Sequence, residues 1–324
     1  MSLSLVTGAA GFIGSHLCEN LARNGERVRA FIHYNSRNYW GWLEKSDYRD
    51  QIEVMAGDLR DLDSVLHAVD GADRIYHLGA LIGIPYSYES PLAYVRTNIE
   101  GTYNVLEAAR RFGVGRILIT STSEVYGTAL YIPIDEKHPL QPQSPYSASK
   151  IGADNLALSY HLSFDLPVVI ARPFNTFGPR QSSRAIIPTI ATQLLSGIRE
   201  VSLGNLAPRR DLTYVEDTVE AMRLISRETQ FVGKVVNIGS QQDISVGEIF
   251  EKLCTLLKCP ATVCVQPERV RPDSSEVMRL LCDSNLLRAG TSWVPKYSLD
   301  EGLEKTVAWL KDHLMLYKHD TYNR

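Results

Sequence analysis

The chain has 324 residues, 44% hydrophobic and 22% charged, a composition that suits a globular enzyme with one large domain and a second lobe. A formal net charge of −3 leaves no broad basic field, which argues against nucleic acid or an anionic membrane as partner. An anionic ligand has to be caught by a few local arginines.

No stretch approaches the roughly 18 uninterrupted apolar residues of a membrane span. The apolar start, Met1 to Ile13, has no basic leader and is broken by glycines, so it reads as strand and turn and not as a signal peptide. Five cysteines, Cys18, Cys254, Cys259, Cys264 and Cys282, are an odd number in a chain that needs no disulfide framework. They fit a reducing cytoplasm. The evenly spaced Cys254, Cys259 and Cys264 lack a CxxC pair or a nearby histidine, so no metal site is expected.

In chain order, short apolar runs predict strands at Ser4–Thr7, Arg27–Ile32, Ile52–Ala56, Arg74–Leu78, Arg116–Thr120 and Pro167–Arg172. Between them lie helical patterns at Ile13–Asn24, Ser64–Val69, Ala93–Phe112 and Ser147–Ser163. Gly25 and Gly113 stand where a left-handed cap ends a helix. Alternation of strand and helix predicts an α/β fold, a Rossmann-type doubly wound parallel sheet covered on both faces. After Arg172 the texture changes. The breaker-rich stretch 173–180 is followed by helices at Ile186–Ser196, Val215–Ser226 and Val246–Leu257, alternating with short strands. Residues 1–175 are expected to form the dinucleotide-binding domain. Residues 176–324 should form mainly a smaller, C-terminal substrate-binding lobe, with segments returning to the main domain.

Gly8, Gly11 and Gly14, with Phe12 and Ile13 between them, follow a strand and open a helix, the context that makes a glycine-rich turn a pyrophosphate cradle. An acidic residue is expected at the end of the second strand to hold a ribose hydroxyl. That stretch instead offers His33, Asn35, Ser36 and Arg37. These either receive a 2′-phosphate or form a plain polar loop, so NAD and NADP both stay open.

Tyr146 and Lys150 are four apart and share a helix face. A phenol of pKa about 10 needs roughly 4 kcal/mol to move about 3 units toward neutrality, which a nearby ammonium and a cationic ring in a dry cleft can supply. Thr122, just past a strand end, can reach the same substrate oxygen.

The set TGAAGFIG, TSTSE, PYSASK, FNTFGPRQ and RRDLTYVED resembles the extended short-chain dehydrogenase/reductase family that acts on nucleotide sugars, over nearly the whole chain. Within it, YNSRNYWGWLE and IPIDEKHPLQPQSPYSASKIGADNLA are similar to the 4,6-dehydratases of legionaminic-acid pathways. The resemblance implies a tightly bound NAD or NADP regenerated at each turnover. It places Asp58 and Leu59 near the adenine, and Leu78, Ala80, Asn98 and Pro173 along the cofactor channel. It implies Asn175 on the sugar nucleotide, Arg210 and Arg271 on its diphosphate, and a homodimer in which two helices from each chain form a four-helix bundle. Guanidinium forks suit phosphate oxygens.

Glu124 separates the possible reactions. A 4-epimerase needs only the oxidising set, and family epimerases usually carry a small or apolar residue there. A dehydratase also needs a base, because a C4 ketone acidifies C5 and the C6 hydroxyl then leaves as water. Glu124 suits that role. Many related dehydratases have Thr-Asp-Glu where this chain has Thr122-Ser123-Glu124, so the acid that protonates the leaving hydroxyl is Glu124 itself or a relay through Ser123. Ser123-Glu124 and FNTFGPR also resemble UDP-glucuronate decarboxylases, whose helix usually reads Cys-Tyr-Asp-Glu-Gly-Lys instead of PYSASK. The expected activity is dehydration of a UDP- or GDP-linked N-acetylglucosamine. Decarboxylation, 4-epimerisation and a non-catalytic dinucleotide sensor are the alternatives.

Overall fold

A computed structural model describes residues 2–318, so the last six residues of the expected second lobe lie outside the described residues. The chain runs β1 (Leu3–Thr7), α1 (Phe12–Arg23), β2 (Arg27–His33), β3 (Ile52–Gly57), α2 (Leu62–Val69) and β4 (Arg74–His77). It continues through α3 (Ile84–Glu89), α4 (Pro91–Tyr94), α5 (Gly101–Phe112), β5 (Arg116–Thr120), α6 (Pro145–Phe164), β6 (Val168–Pro173) and β7 (Asn175–Phe177). Then come α7 (Ile186–Leu195), β8 (Glu200–Leu203), β9 (Arg209–Tyr214), α8 (Val215–Arg227), β10 (Val235–Ile238), β11 (Asp243–Ser245) and α9 (Val246–Leu256). The last elements are β12 (Thr262–Val265), β13 (Arg279–Leu280), α10 (Asn285–Gly290) and α11 (Leu299–Asp312).

Seven strands form one parallel sheet in the order β3-β2-β1-β4-β5-β6-β10. All five residues of β1 and all six of β6 are buried, as strands covered on both faces must be. The order reverses between β1 and β4, and this switch point opens a crevice at the carboxyl ends of the strands, where open α/β sheets take ligands. In the C-terminal half β9 pairs with β7, β11 and β13, and β12 pairs with β8. That half also contributes β10 to the large sheet.

The expected helix boundaries hold within a residue or two, except in one place. The run from Ala93 to Phe112 is not one α-helix: α4 is followed by a π-helical turn over Val95–Glu100 before α5 begins. The wider turn carries the buried Asn98, whose amide grips both backbone groups of Leu81. Gly113 caps α5 at φ 64°, as its position in the sequence implies. Helix α6 starts from a reciprocal cap, Ser144 with Ser147, and Pro145 at its first position. Among the described residues no helix is long and apolar enough to cross a membrane.

Candidate active site

The turn after β1 is built around two close approaches. Gly8 has φ +68°, and a Cβ there would lie 2.8 Å from the Cα of Gly79. A Cβ on Gly14 would lie 2.3 Å from the carbonyl oxygen of Gly8. Only glycines let α1 begin this near the strand end. Gly11 is the N-cap and offers no side chain to the first-turn amides, and no acidic residue follows it there. Those amides are therefore available to an anion, which is the fit a dinucleotide pyrophosphate requires. Phe12 and Ile13 are half-buried at the start of the helix. Thr7 Oγ1 accepts the amides of Leu78 at 3.2 Å and Gly79 at 3.0 Å, locking the exit of β4 beside the turn, with Ala80 following.

At the end of β2 the Asn35 side chain bonds within its own loop. Its amide donates to Tyr39 O at 2.8 Å and accepts from Tyr39 N at 3.0 Å, so it is spent within the loop. His33, Ser36 and Arg37 are exposed. Beyond β3, Asp58 accepts a guanidinium fork from Arg60, which holds its carboxyl down at about 2. Leu59 packs beneath Gly79 and Gly101. Asn98 also donates to Ser149 Oγ at 2.9 Å, so it joins α5, α6 and the loop after β4. Pro173 ends β6, buried against β10.

The expected catalytic residues converge. Thr122 begins a 3-10 turn, Ser123–Tyr126, and its side chain accepts the amide of Glu124 at 3.2 Å. Tyr146, in the first turn of α6, is buried, and the nearby Thr122 side chain favours its ionised form. The Tyr94 ring stands edge-on to it at 6.2 Å. Ser123 is buried and Glu124 half-buried. The Glu124 charge acts on both Tyr146 and Arg210, so the three groups share one region of the site.

The expectation is that the Lys150 ammonium and a cationic nicotinamide together lower the Tyr146 phenol. In the chain by itself burial pushes the phenol up, and the Thr122 side chain opposes this. The Lys150 ammonium donates to Thr120 O at 2.7 Å, and burial shifts it down. Desolvation of both groups outweighs their adjacency on one helix face.

On the far side of the cleft, Arg210 of β9 and Arg271 approach one carboxylate oxygen of Glu276, at 3.6 and 3.7 Å. Burial lowers Arg210, the Glu124 charge raises it and the neighbouring Arg271 lowers it. Two guanidiniums held this close invite a second anion. Asn175 Oδ1 is buried and has no partner among the described residues.

Several residues of the site carry no motif. Asp154 accepts Ser121 Oγ at 2.7 Å and Arg172 Nη2 at 2.8 Å, directly behind Lys150. Its one signal in the sequence is the four-residue step from Lys150. Glu276 and Arg172 have no such signal, since only the folded sheet brings them to the cleft.

The GDP-mannose 4,6 dehydratase family model matches residues 5–306. The low-salt glycan biosynthesis protein Agl12 of Haloferax volcanii is 35% identical over 308 residues, covering 94% of this chain and 96% of that one. A dTDP-glucose 4,6-dehydratase of Streptomyces antibioticus is 33% identical over 95% of this chain and 92% of its own length. The crystal structure of DesIV, a dTDP-glucose 4,6-dehydratase from Streptomyces venezuelae with NAD bound, superposes with a TM-score of 0.86 at 29% identity, covering 98% and 99% of the two chains. The chain belongs to the GDP-mannose 4,6-dehydratase family, among the extended short-chain dehydrogenases/reductases that include nucleotide-sugar epimerases and dehydratases.

Proposed function

We propose that this chain is a nucleotide-sugar 4,6-dehydratase acting on a UDP- or GDP-linked N-acetylglucosamine. The observation that carries the reaction is that the Glu124 charge acts on both the Tyr146 phenol and the Arg210 guanidinium. A sugar nucleotide with its diphosphate at Arg210 and Arg271 and its C4 hydroxyl at Tyr146 would bring C5 to that carboxylate. The likeness of residues 34–44 and 132–157 to the dehydratases of legionaminic-acid pathways supports the N-acetylglucosamine unit.

NAD or NADP would be held by the Gly8–Gly14 turn, the loop Leu78–Ala80 and Lys150, with Asp58 and Leu59 near the adenine. When bound, it accepts the hydride from C4 and returns it at C6, so the net reaction is loss of water. The residues of the chain manage the protons. Tyr146 takes the C4 hydroxyl proton while Thr122 aligns that oxygen. Glu124 then takes the C5 proton, and the leaving C6 oxygen receives a proton from Glu124 or through Ser123. Tyr146 starts above its ordinary value because it is buried. A cationic nicotinamide and the Lys150 ammonium are what would bring it down.

Residues 1–175 would then hold the dinucleotide and residues 176–324 mainly the sugar nucleotide. We also assign a cytoplasmic homodimer, consistent with five free cysteines and with exposed Tyr103, Phe112, Leu162 and Phe164 on α5 and α6. The test is to incubate the purified chain with UDP- and GDP-N-acetylglucosamine and, separately, with UDP-glucuronate, and weigh each product. Loss of water supports dehydration. Unchanged mass with new stereochemistry, carbon dioxide lost from a uronate, or no reaction at all would each replace it, the first with an epimerase, the second with a decarboxylase and the third with a sensor.

A further inference from the structure

Helix α6 and the exit of β5 are joined at three consecutive residues. Lys150 holds the carbonyl of Thr120, Asp154 accepts the hydroxyl of Ser121 at 2.7 Å, and Tyr146 lies beside the side chain of Thr122. Tyr146, Lys150 and Asp154 are successive turns of one helix face, and all three are buried. The pairing of Asp154 with Ser121 has no place in the chemistry assigned above.

Asp154 is 1% exposed and Arg172 3% exposed, so their ion pair is a fully desolvated one. Oδ2 of Asp154 takes Ser121 and both Nε and Nη2 of Arg172. Oδ1 is buried and has no hydrogen-bond partner among the described residues. Arg172 in turn donates to Tyr126 Oη at 3.1 Å, and Tyr126 donates to Asn237 at 2.7 Å, which anchors the pair to β10. A carboxylate is costly to bury this deeply unless its charge is used. Lys150, one turn away, is an equally buried cation whose ammonium donates to a neutral carbonyl.

We propose that Asp154 is a positioning residue for Tyr146 and Lys150, pinning the exit of β5 to α6 and supplying the negative charge against which the lysine ammonium is buried. This rests on the reading of Tyr146 and Lys150 given above. The Asp154 charge raises both groups, while burial lowers Lys150 and raises Tyr146. The other charged or titratable groups facing the pair are His77 of β4, Tyr94 of α4, Glu124 of the turn after β5, and Arg172 of β6 with Tyr126 behind it. Removing the Asp154 charge makes the local potential more positive at both sites. Both groups then lose their protons at lower pH.

The experiment is an NMR titration of the Lys150 ammonium in the full chain, with the pH profile of turnover alongside. Asp154→Asn should move the lysine titration, and both limbs of the profile, to lower pH by about one unit. Asp154→Glu should restore them. Arg172→Gln, which unmasks the same carboxylate, should move the lysine the opposite way, and it decides the matter if Asp154→Asn does not fold. A uniform loss of rate with the lysine titration unmoved in either variant would overturn the proposal and leave Asp154 a purely structural residue. A wild-type chain that turns over no sugar nucleotide would refute the function proposed above, yet the lysine titration would still decide this point.

Discussion

The ammonium of Lys150 donates to the backbone carbonyl of Thr120 at 2.7 Å, which ties α6 to the strand that leads into Thr122 and Glu124. Replacing Lys150 by Met keeps the aliphatic stem and removes a buried charge. Asp154 keeps its ion pair with Arg172, removal of the ammonium relieves the cost of burying it, and the loss is one orphaned carbonyl, about 1–3 kcal/mol. Lys150→Met should therefore melt within a few degrees of wild type while turnover falls at least about a hundredfold, the scale of an acid–base group. Thermal melts and steady-state rates measured on the same preparations check this.

Gly14 is a steric requirement of the cradle. A Cβ at 2.3 Å from Gly8 O and 2.9 Å from the Cα of Ala9 cannot be relieved by a flexible side chain, because both neighbours are backbone. Gly14→Ala should push α1 off the turn and weaken dinucleotide binding by more than about tenfold, on the overpacking scale of about 1–3 kcal/mol. Calorimetric titration with NAD and NADP reads it, and unchanged affinity would count against the cradle.

His77 gives a pH dependence with a definite sign. Thr7 Oγ1 accepts two amides and so donates its own proton to His77 Nδ1, 2.8 Å away. The ring then donates from Nε2 to Thr102, which donates to Asn98 O. Every position in this chain is filled by the neutral ring, and burial, with the Lys150 charge, pushes it down to about 3. The unfolded chain takes up this proton near pH 6.5 and the folded one only near 3, so stability falls as pH drops through that window, by at most about 1.4 kcal/mol per unit. Above pH 6.5 the term is constant. Thermal melts from pH 7 to 4 should fall less steeply for His77→Gln than for wild type.

Much of this site was legible before folding because its chemistry sits in local patterns. Gly8, Gly11 and Gly14 are bound to one turn, and Tyr146 and Lys150 to one helix face, so spacing alone places them. The resemblance implies Asn98 along the cofactor channel, but the π-helical turn that aims it at Leu81 is not legible, since nothing in the pattern 95–100 departs from ordinary helix. The direction of Lys150 was not legible either. Spacing gives adjacency to Tyr146, whereas the carbonyl it chooses belongs to a strand end fixed by the sheet. The resemblance implies Arg210 and Arg271 together on one diphosphate, but their sharing of Glu276 depends on β9 and the loop before β13 meeting in space.

Glu124 carries the account, and one measurement on it is decisive. The wild-type chain and Glu124→Gln are incubated with UDP- and GDP-N-acetylglucosamine in heavy water, and the products are weighed. The account predicts a wild-type product lighter by one water and carrying one solvent deuterium at C5. It predicts that Glu124→Gln still binds the sugar nucleotide while forming that product at least about a thousandfold more slowly. A variant that eliminates water at the wild-type rate, or a wild-type product with no water lost, would contradict it.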